Sequence, residues 1–207
     1  MKKVIFLLTI LFLFGVVNAN AALIVYSNSG AWQSNVTGIV TDDFSTLSGN
    51  LYQTLTLGSV TFDVPGSSGY DALWVSPPDS YQGLDSALVG NYPLTSIRAT
   101  FAGGTTAVCS DIYNLAVNDT ITVDLYANGL DTLYYIPIIF PNKTFFGVTT
   151  DTGTISSITF TPGQRWVGVD NFEYGSAGTT SVPEPTSMLL LGLGLLGVAG
   201  IRRKLKG

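Results

Sequence analysis

Histidine is absent from all 207 residues. That absence removes Ser-His-Asp and Cys-His catalysis, HExxH zinc sites and histidine general bases together. Cysteine occurs once, at Cys109, so no intrachain disulfide can form. A lone cysteine in a strand-like stretch reads as a small buried residue rather than a nucleophile. Positive charge is scarce too. Six of the nine lysines and arginines sit at the two ends, which leaves Arg98, Lys143 and Arg165 between them. Thirteen acids face those three bases, so the central segment has a net charge of −10. Such a surface repels nucleic acid and anionic lipid. Glutamate is almost missing as well: Glu173 is the only one in the body, and the other acids are aspartates scattered through turns. Paired-carboxylate hydrolysis needs two groups about 5–10 Å apart, one with a raised pKa. No pair stands out, and the chain is not expected to be an enzyme.

Long apolar runs occur only at the ends. Lys2-Lys3 precede an apolar stretch from Val4 to Val17, interrupted by Thr9, and Ala19-Asn20-Ala21 follows as an A-x-A site. This is the layout of a secretory signal peptide, residues 1–21, with cleavage after Ala21 and Val17-Asn18-Ala19 as the competing site. At the other end Val182-Pro183-Glu184-Pro185 is followed by an uncharged run, Met188 to Ile201, and by Arg202, Arg203, Lys204 and Lys206. As a helix the run spans about 21 Å, short of the roughly 30 Å hydrocarbon core. A single transmembrane helix over 187–201 therefore needs a thinned bilayer or snorkelling of its flanking cations. The basic cluster stays cytoplasmic by the positive-inside rule and places the body on the far side of that membrane. A plain C-terminal anchor or a buried core helix would explain the apolar run, but not its ordered flanks.

This tail, residues 182–207, resembles the PEP-CTERM signal of Gram-negative bacteria. The resemblance implies an exosortase and a signal peptidase as partners and a transient stay in the inner membrane. It further implies removal or exchange of the tail near Pro183–Pro185, leaving the protein at the cell surface or outside the cell.

Between the signals lies one domain's worth of chain, rich in strand patterns. Thr120 to Leu125 alternates strictly, with Ile121, Val123 and Leu125 on one face. Asn128-Gly129 follows, the pair favoured by a type I′ hairpin turn, and Leu133 to Ile136 returns. Pro137 and Pro141 push the far end of that return strand to a sheet edge or a bulge. Similar runs occupy 22–26, 38–44, 51–57, 59–64, 72–75, 94–101, 106–112, 144–149, 154–160 and 165–174. Many short strands separated by Gly, Pro, Asn and Asp turns predict an all-β antiparallel β-sandwich over 22–174, jelly-roll-like in connectivity. One short helix is expected at 29–34, capped by Ser29, with Trp32 packing over a sheet edge. Residues 175–181 have the composition of a flexible linker. Segments such as Gly30-Ala31-Trp32, Thr41-Asp42-Asp43-Phe44, Ile97-Arg98-Ala99-Thr100-Phe101 and Val169-Asp170-Asn171-Phe172 resemble an ectodomain recurring in PEP-CTERM proteins. That resemblance implies a secreted β-sandwich and carries no catalytic residue over.

Two binding chemistries suit the body. Asp42-Asp43 near the first long strand and Asp170-Asn171 in the last would converge if those strands are neighbours, and Ca²⁺ takes six to eight oxygen ligands. Adjacent strand residues face opposite ways, so each pair offers one inward group unless bulged. The competing reading makes Asp170 a strand-end cap and leaves Asp42 and Asp43 solvated. Sugar binding uses exposed aromatics against pyranose faces with nearby amides and carboxylates. Trp74, Tyr81 and Tyr92 sit in segments of that composition, although Trp74 between Leu73 and Val75 also fits a core position. The expected role is structural or adhesive contact with exopolysaccharide in a biofilm matrix. A dedicated carbohydrate-binding module is the alternative, and a secreted hydrolase follows it.

Overall fold

Apolar and polar side chains alternate along strand after strand, and that alternation builds two sheets facing one core. The computed structural model describes residues 22–47, 49–66, 71–77, 86–114 and 117–178. The expected signal helix 1–21, the sorting tail 182–207 with its helix 187–201, and Tyr81 lie outside these residues. Among the described residues no helix is long and apolar enough to cross a membrane.

One sheet has six strands in the order β11 (Leu130–Ile138), β10 (Asp119–Ala127), β13 (Ile155–Thr161), β8 (Ile97–Thr105), β5 (Val60–Asp63) and β4 (Thr54–Leu57). The other has eight. β1 (Leu23–Tyr26), β12 (Thr144–Thr150), β9 (Ala107–Asn114), β14 (Val167–Ala177), β7 (Leu88–Gly90), β6 (Leu73–Val75) and β3 (Leu51–Tyr52) run side by side, and β2 (Val36–Asp42) also pairs with β14. Every described pairing is antiparallel. The expected hairpin is present: Ala127 pairs with Leu130, and Asn128 (φ 54°) and Gly129 (φ 79°) form its turn. Both central residues need the positive φ of a type I′ turn. As expected from its prolines, β11 forms the sheet edge, where Pro137 lacks the N–H that a further strand would require.

The core lies between the sheets. Ile121, Val123 and Leu125 of β10 and Ile158 and Phe160 of β13 are fully buried against Val108, Ile112, Val148 and Val169 of the opposite sheet. An aromatic chain crosses this interior. Phe62 meets Phe44 edge-on at 5.5 Å and Phe172 edge-on at 5.0 Å, and Phe101 stacks on Phe172 at 6.1 Å. Offset and edge-to-face pairs of this kind add about 0.5–1.5 kcal/mol each beyond area burial.

Four details differ from the sequence expectation. The run 51–57 is two strands: Tyr52 pairs within the eight-stranded sheet and Thr54 within the six-stranded one, so the chain changes sheet at Gln53. β7 was not anticipated, because three residues are too short to display a period. The helix α1 (Ser29–Gln33) is capped by Asn28, whose side chain accepts from the Ala31 amide, rather than by Ser29. Finally, Gly175 to Ala177 belong to β14 instead of a linker, since Ser176 and Ala177 pair with Thr37 and Val36.

Trp32 of α1 packs on the outer face of β12, one strand in from the edge. It is fully buried, and its indole N–H donates to the Val148 carbonyl at 3.2 Å. A Cβ at Gly147 would stand 2.7 Å from the Trp32 ring, so only glycine admits the indole there. With Val36, Ala107 and Cys109 it forms a second, smaller core outside the sandwich. Truncation of Trp32 to alanine is expected to cost about 3–5 kcal/mol, seen as a lower urea midpoint with an unchanged m-value.

Candidate functional site

Beside that small core, β14 departs from regular pairing. Asp170 faces Asp111 of β9, and Glu173 faces Cys109, so Asn171 and Phe172 together lie against the single residue Ser110. The extra residue is a β-bulge, a device that re-aims side chains. Asn171 takes φ 45°, a left-handed conformation that asparagine tolerates better than most residues. Phe172 thus enters the core, while Asn171 and Glu173 both reach the outer face.

There they line a cavity of about 300 Å³ with Gln33 and Ser29 of α1, Cys109 and Asp111 of β9, Phe145 of β12 and the preceding Lys143. Asp111 Oδ2 accepts from Lys143 Nζ at 2.6 Å and from Asn171 Nδ2 at 3.0 Å. Glu173 accepts from Gln33 Nε2 on both oxygens at 3.0 Å, from the Thr41 hydroxyl at 3.4 Å and from the Cys109 thiol at 3.6 Å. Burial, and then the neighbouring Glu173 carboxylate, push the Cys109 thiol well above its ordinary range. It therefore stays protonated and donates to Glu173; a nucleophile would need the opposite environment.

The cavity brings together two carboxylates that the sequence did not pair. Diagonal neighbours on adjacent antiparallel strands stand about 7–8 Å apart, so the spacing alone is compatible with a hydrolase. The described contacts of both carboxylates are to an ammonium, amides, a hydroxyl and a thiol, and none of them is to another carboxylate. Acceptors, amide and ammonium donors and the Phe145 ring around one small volume form a binding arrangement.

The residues singled out from the sequence fall elsewhere, with one exception. β2 and β14 are neighbours, and Asp42 faces Phe172 across that pairing. Asp43, however, accepts from the Ser45 amide and hydroxyl at 3.0 and 2.8 Å, and Asp170 from the Asn171 amide at 2.7 Å. Asn171 turns to Asp111 and joins the cavity. Among the described residues no three His, Cys, Asp or Glu side chains form a group able to hold a metal ion. Trp74 is half-buried on the outer face of β6, and Tyr92 is 49% exposed in the loop after β7. Asn91 beside it accepts from the Ala72 amide at 2.7 Å and serves that loop. A second opening, lined by Asn118, Asp119 and Gln164, is structural: Asp119 accepts from the Gly163 and Gln164 amides at 3.1 and 3.0 Å. What sequence reasoning missed was Gln33, Asp111, Lys143 and Glu173. Alternation in β9 places Cys109 and Asp111 on one face and was the available signal.

Two outcomes follow. Cys109 should resist a thiol reagent in the folded protein and react fully in denaturant, and Glu173→Gln should raise its native reactivity by removing the adjacent charge, measured as the rate of maleimide labelling. Asp42 has one oxygen without a partner, and burial and then the charge of Asp43 push its carboxyl above the usual range. A carboxyl raised in the folded state favours folding below its unfolded pKa, and that contribution is lost as pH rises through the folded value. Asp42→Asn is therefore expected to raise the melting temperature at neutral pH, with the gain vanishing in acid, as read by melting scans across that interval.

Solved structures similar to the chain include the family 11 carbohydrate-binding module from Clostridium thermocellum in complex with a β-1,3-1,4-mixed-linked tetrasaccharide, at 12% identity, covering 63% of this chain and 99% of that one, with a TM-score of 0.37. A variant of a family 29 carbohydrate-binding module complexed with mannohexaose is similar at 10% identity over 81% of this chain and all of that chain (100%), with a TM-score of 0.34. No curated protein matches the chain. Residues 181–204 match the PEP-CTERM protein-sorting motif, which marks an exported protein sorted by an exosortase.

Proposed function

We propose that this protein is an exported matrix component that holds exopolysaccharide by weak contacts on two opposite faces, a structural or adhesive role in a biofilm. The observation that carries this reading is the cavity beneath α1, where Asp111, Lys143, Asn171 and Glu173 surround a space bounded by Phe145. Hydroxyl-rich ligands are bound by such mixed acceptors and donors beside an aromatic wall.

The opposite face adds a second surface. Thr56, Thr61, Thr100, Ser157 and Tyr126 are successive partners across β4, β5, β8, β13 and β10, and alternate residues of these strands fill the core. The row therefore presents a hydroxyl about every 4.7–4.9 Å. Tyr126, 41% exposed, ends the row on β10, and Tyr135, 66% exposed, lies opposite Thr122 four residues further along β11 from the row's line. Two surfaces on one rigid domain link two polymer chains, and avidity then exceeds either contact alone. Connectivity alternating repeatedly between the sheets suits a jelly-roll frame. A dedicated carbohydrate-binding module, with affinity concentrated in the cavity, is the second reading, favoured by the convergence of charged, amide and aromatic side chains on that one space.

Routing in this proposal follows the two ends. Signal peptidase removes residues 1–21, the helix over 187–201 holds the chain in the inner membrane against Arg202–Lys206, and the exosortase acts near Pro183–Pro185. Mass spectrometry of the mature protein from its native envelope is expected to find a chain beginning at Ala22 and lacking the basic cluster. Affinity electrophoresis in gels containing the producer's exopolysaccharide is expected to retard this protein, and Asp111→Asn and Phe145→Ala each to weaken retention about three- to tenfold. Unchanged mobility at every polymer concentration would overturn the contact role while leaving the sorting route standing.

A further inference from the structure

Glu173 is 9% exposed, and the described ion pairs are Arg98–Asp63 and Lys143–Asp111, so this carboxylate has no cationic partner among the described residues. Buried charges are normally paired, because desolvation is costly and only an opposite charge or full hydrogen bonding offsets it. Here the offset is incomplete. A carboxylate offers about four acceptor sites. The two bonds at 3.0 Å come from the one Gln33 nitrogen, and the contacts from Thr41 and Cys109 are longer, at 3.4 and 3.6 Å. Acceptor capacity therefore remains toward the cavity that Glu173 lines.

The cavity as a whole is also anionic. Asp111 and Glu173 outnumber Lys143, whose charge is committed to Asp111. Around it the body carries thirteen acids and three bases, a field that draws cations in and drives anions off. Phe145, partly buried against the Trp32 cluster, adds an aromatic side chain to the lining, and Ser29, Gln33 and Asn171 are neutral polar groups able to meet hydroxyls. A volume of about 300 Å³ holds one pyranose and not a folded partner's surface.

Resting on the reading of this cavity as a saccharide site, we infer that its ligand is an amino sugar with a free, protonated amine, the ammonium seated on Glu173 and the ring against Phe145. An N-acetylated sugar lacks the charge. A uronic acid carries the wrong one. A neutral hexose leaves the Glu173 carboxylate without a counter-charge.

Three hexamers with the same β-1,4 backbone separate these cases: glucosamine, N-acetylglucosamine and glucose. Calorimetry with the mature full-length product at mildly acidic pH, where the amines are protonated, is expected to rank the amine form about tenfold or more above the other two. Glu173→Gln is expected to abolish that preference. Lys143→Met removes the competing cation and is expected to tighten amine binding several-fold, a gain that misfolding cannot mimic. Equal binding of all three hexamers, or a preference for the acetylated or neutral form, would overturn the inference while leaving a saccharide site intact. Equal affinity for a simple diamine would overturn its sugar component. Failure to bind any hexamer, together with unretarded migration in native exopolysaccharide, would remove the saccharide reading itself.

Discussion

Backbone pairing of β14 is the constraint on which both the core and the cavity depend. The strand is eleven residues long, pairs with β9 along one side, and shares its other side between β7 and β2. Each partner fixes a different stretch of it. β9 sets the register in which Val169 and Phe172 reach the interior, and β2 holds the final residues through to Ala177. Because side chains alternate with period two, a slip of one residue would turn every inward side chain outward. The bulge at Asn171 uses that rule locally. One additional residue restores Phe172 to the core and delivers Glu173 to the outer face beside Cys109. A single irregularity thus serves packing and site at once.

The cavity's second wall depends on a short helix that would not be stable alone, since isolated helices below about 12–15 residues are marginal in water. α1 has five residues. It is held by Trp32, whose ring fills the space left by the missing side chain of Gly147 and whose N–H satisfies the Val148 carbonyl. Gln33, the next residue and itself exposed, then reaches Glu173, and the amide–carboxylate contact spans 140 residues of sequence. Rigid positioning of polar groups by a small apolar cluster lowers the ordering cost on binding.

Strand content was most legible where burial follows period two, as it does along β10. β10 announces itself through Ile121, Val123 and Leu125, and its turn through Asn128-Gly129. Where the signal failed, the cause was local. β7 is three residues of uniformly buried chain, and the 51–57 run hides a change of sheet that alternation cannot encode, because both halves alternate. The cavity was less legible still. Gln33, Asp111, Lys143 and Glu173 come from four separated segments, made neighbours by the pairing of β9 with β12 and β14 and by the docking of Trp32 on β12. The aspartates at 42, 43 and 170 drew attention by adjacency in sequence, yet strand geometry and short-range bonds to Ser45 and Asn171 direct them differently.

Export makes the state of Cys109 a structural problem as well as a chemical one. A single thiol in an oxidising compartment has no partner within the chain, and an accessible thiolate would couple to other molecules. Burial alone raises the barrier to ionisation, and the adjoining Glu173 carboxylate raises it further. The same carboxylate accepts the thiol hydrogen, so protonated Cys109 satisfies part of the acceptor demand of a buried charge. The thiol is thereby held protonated, the form that is a poor nucleophile. One hydrogen bond thus couples the small core outside the sandwich to the cavity wall, so the group that keeps Cys109 protonated is also the group that the bulge in β14 turns toward the cavity.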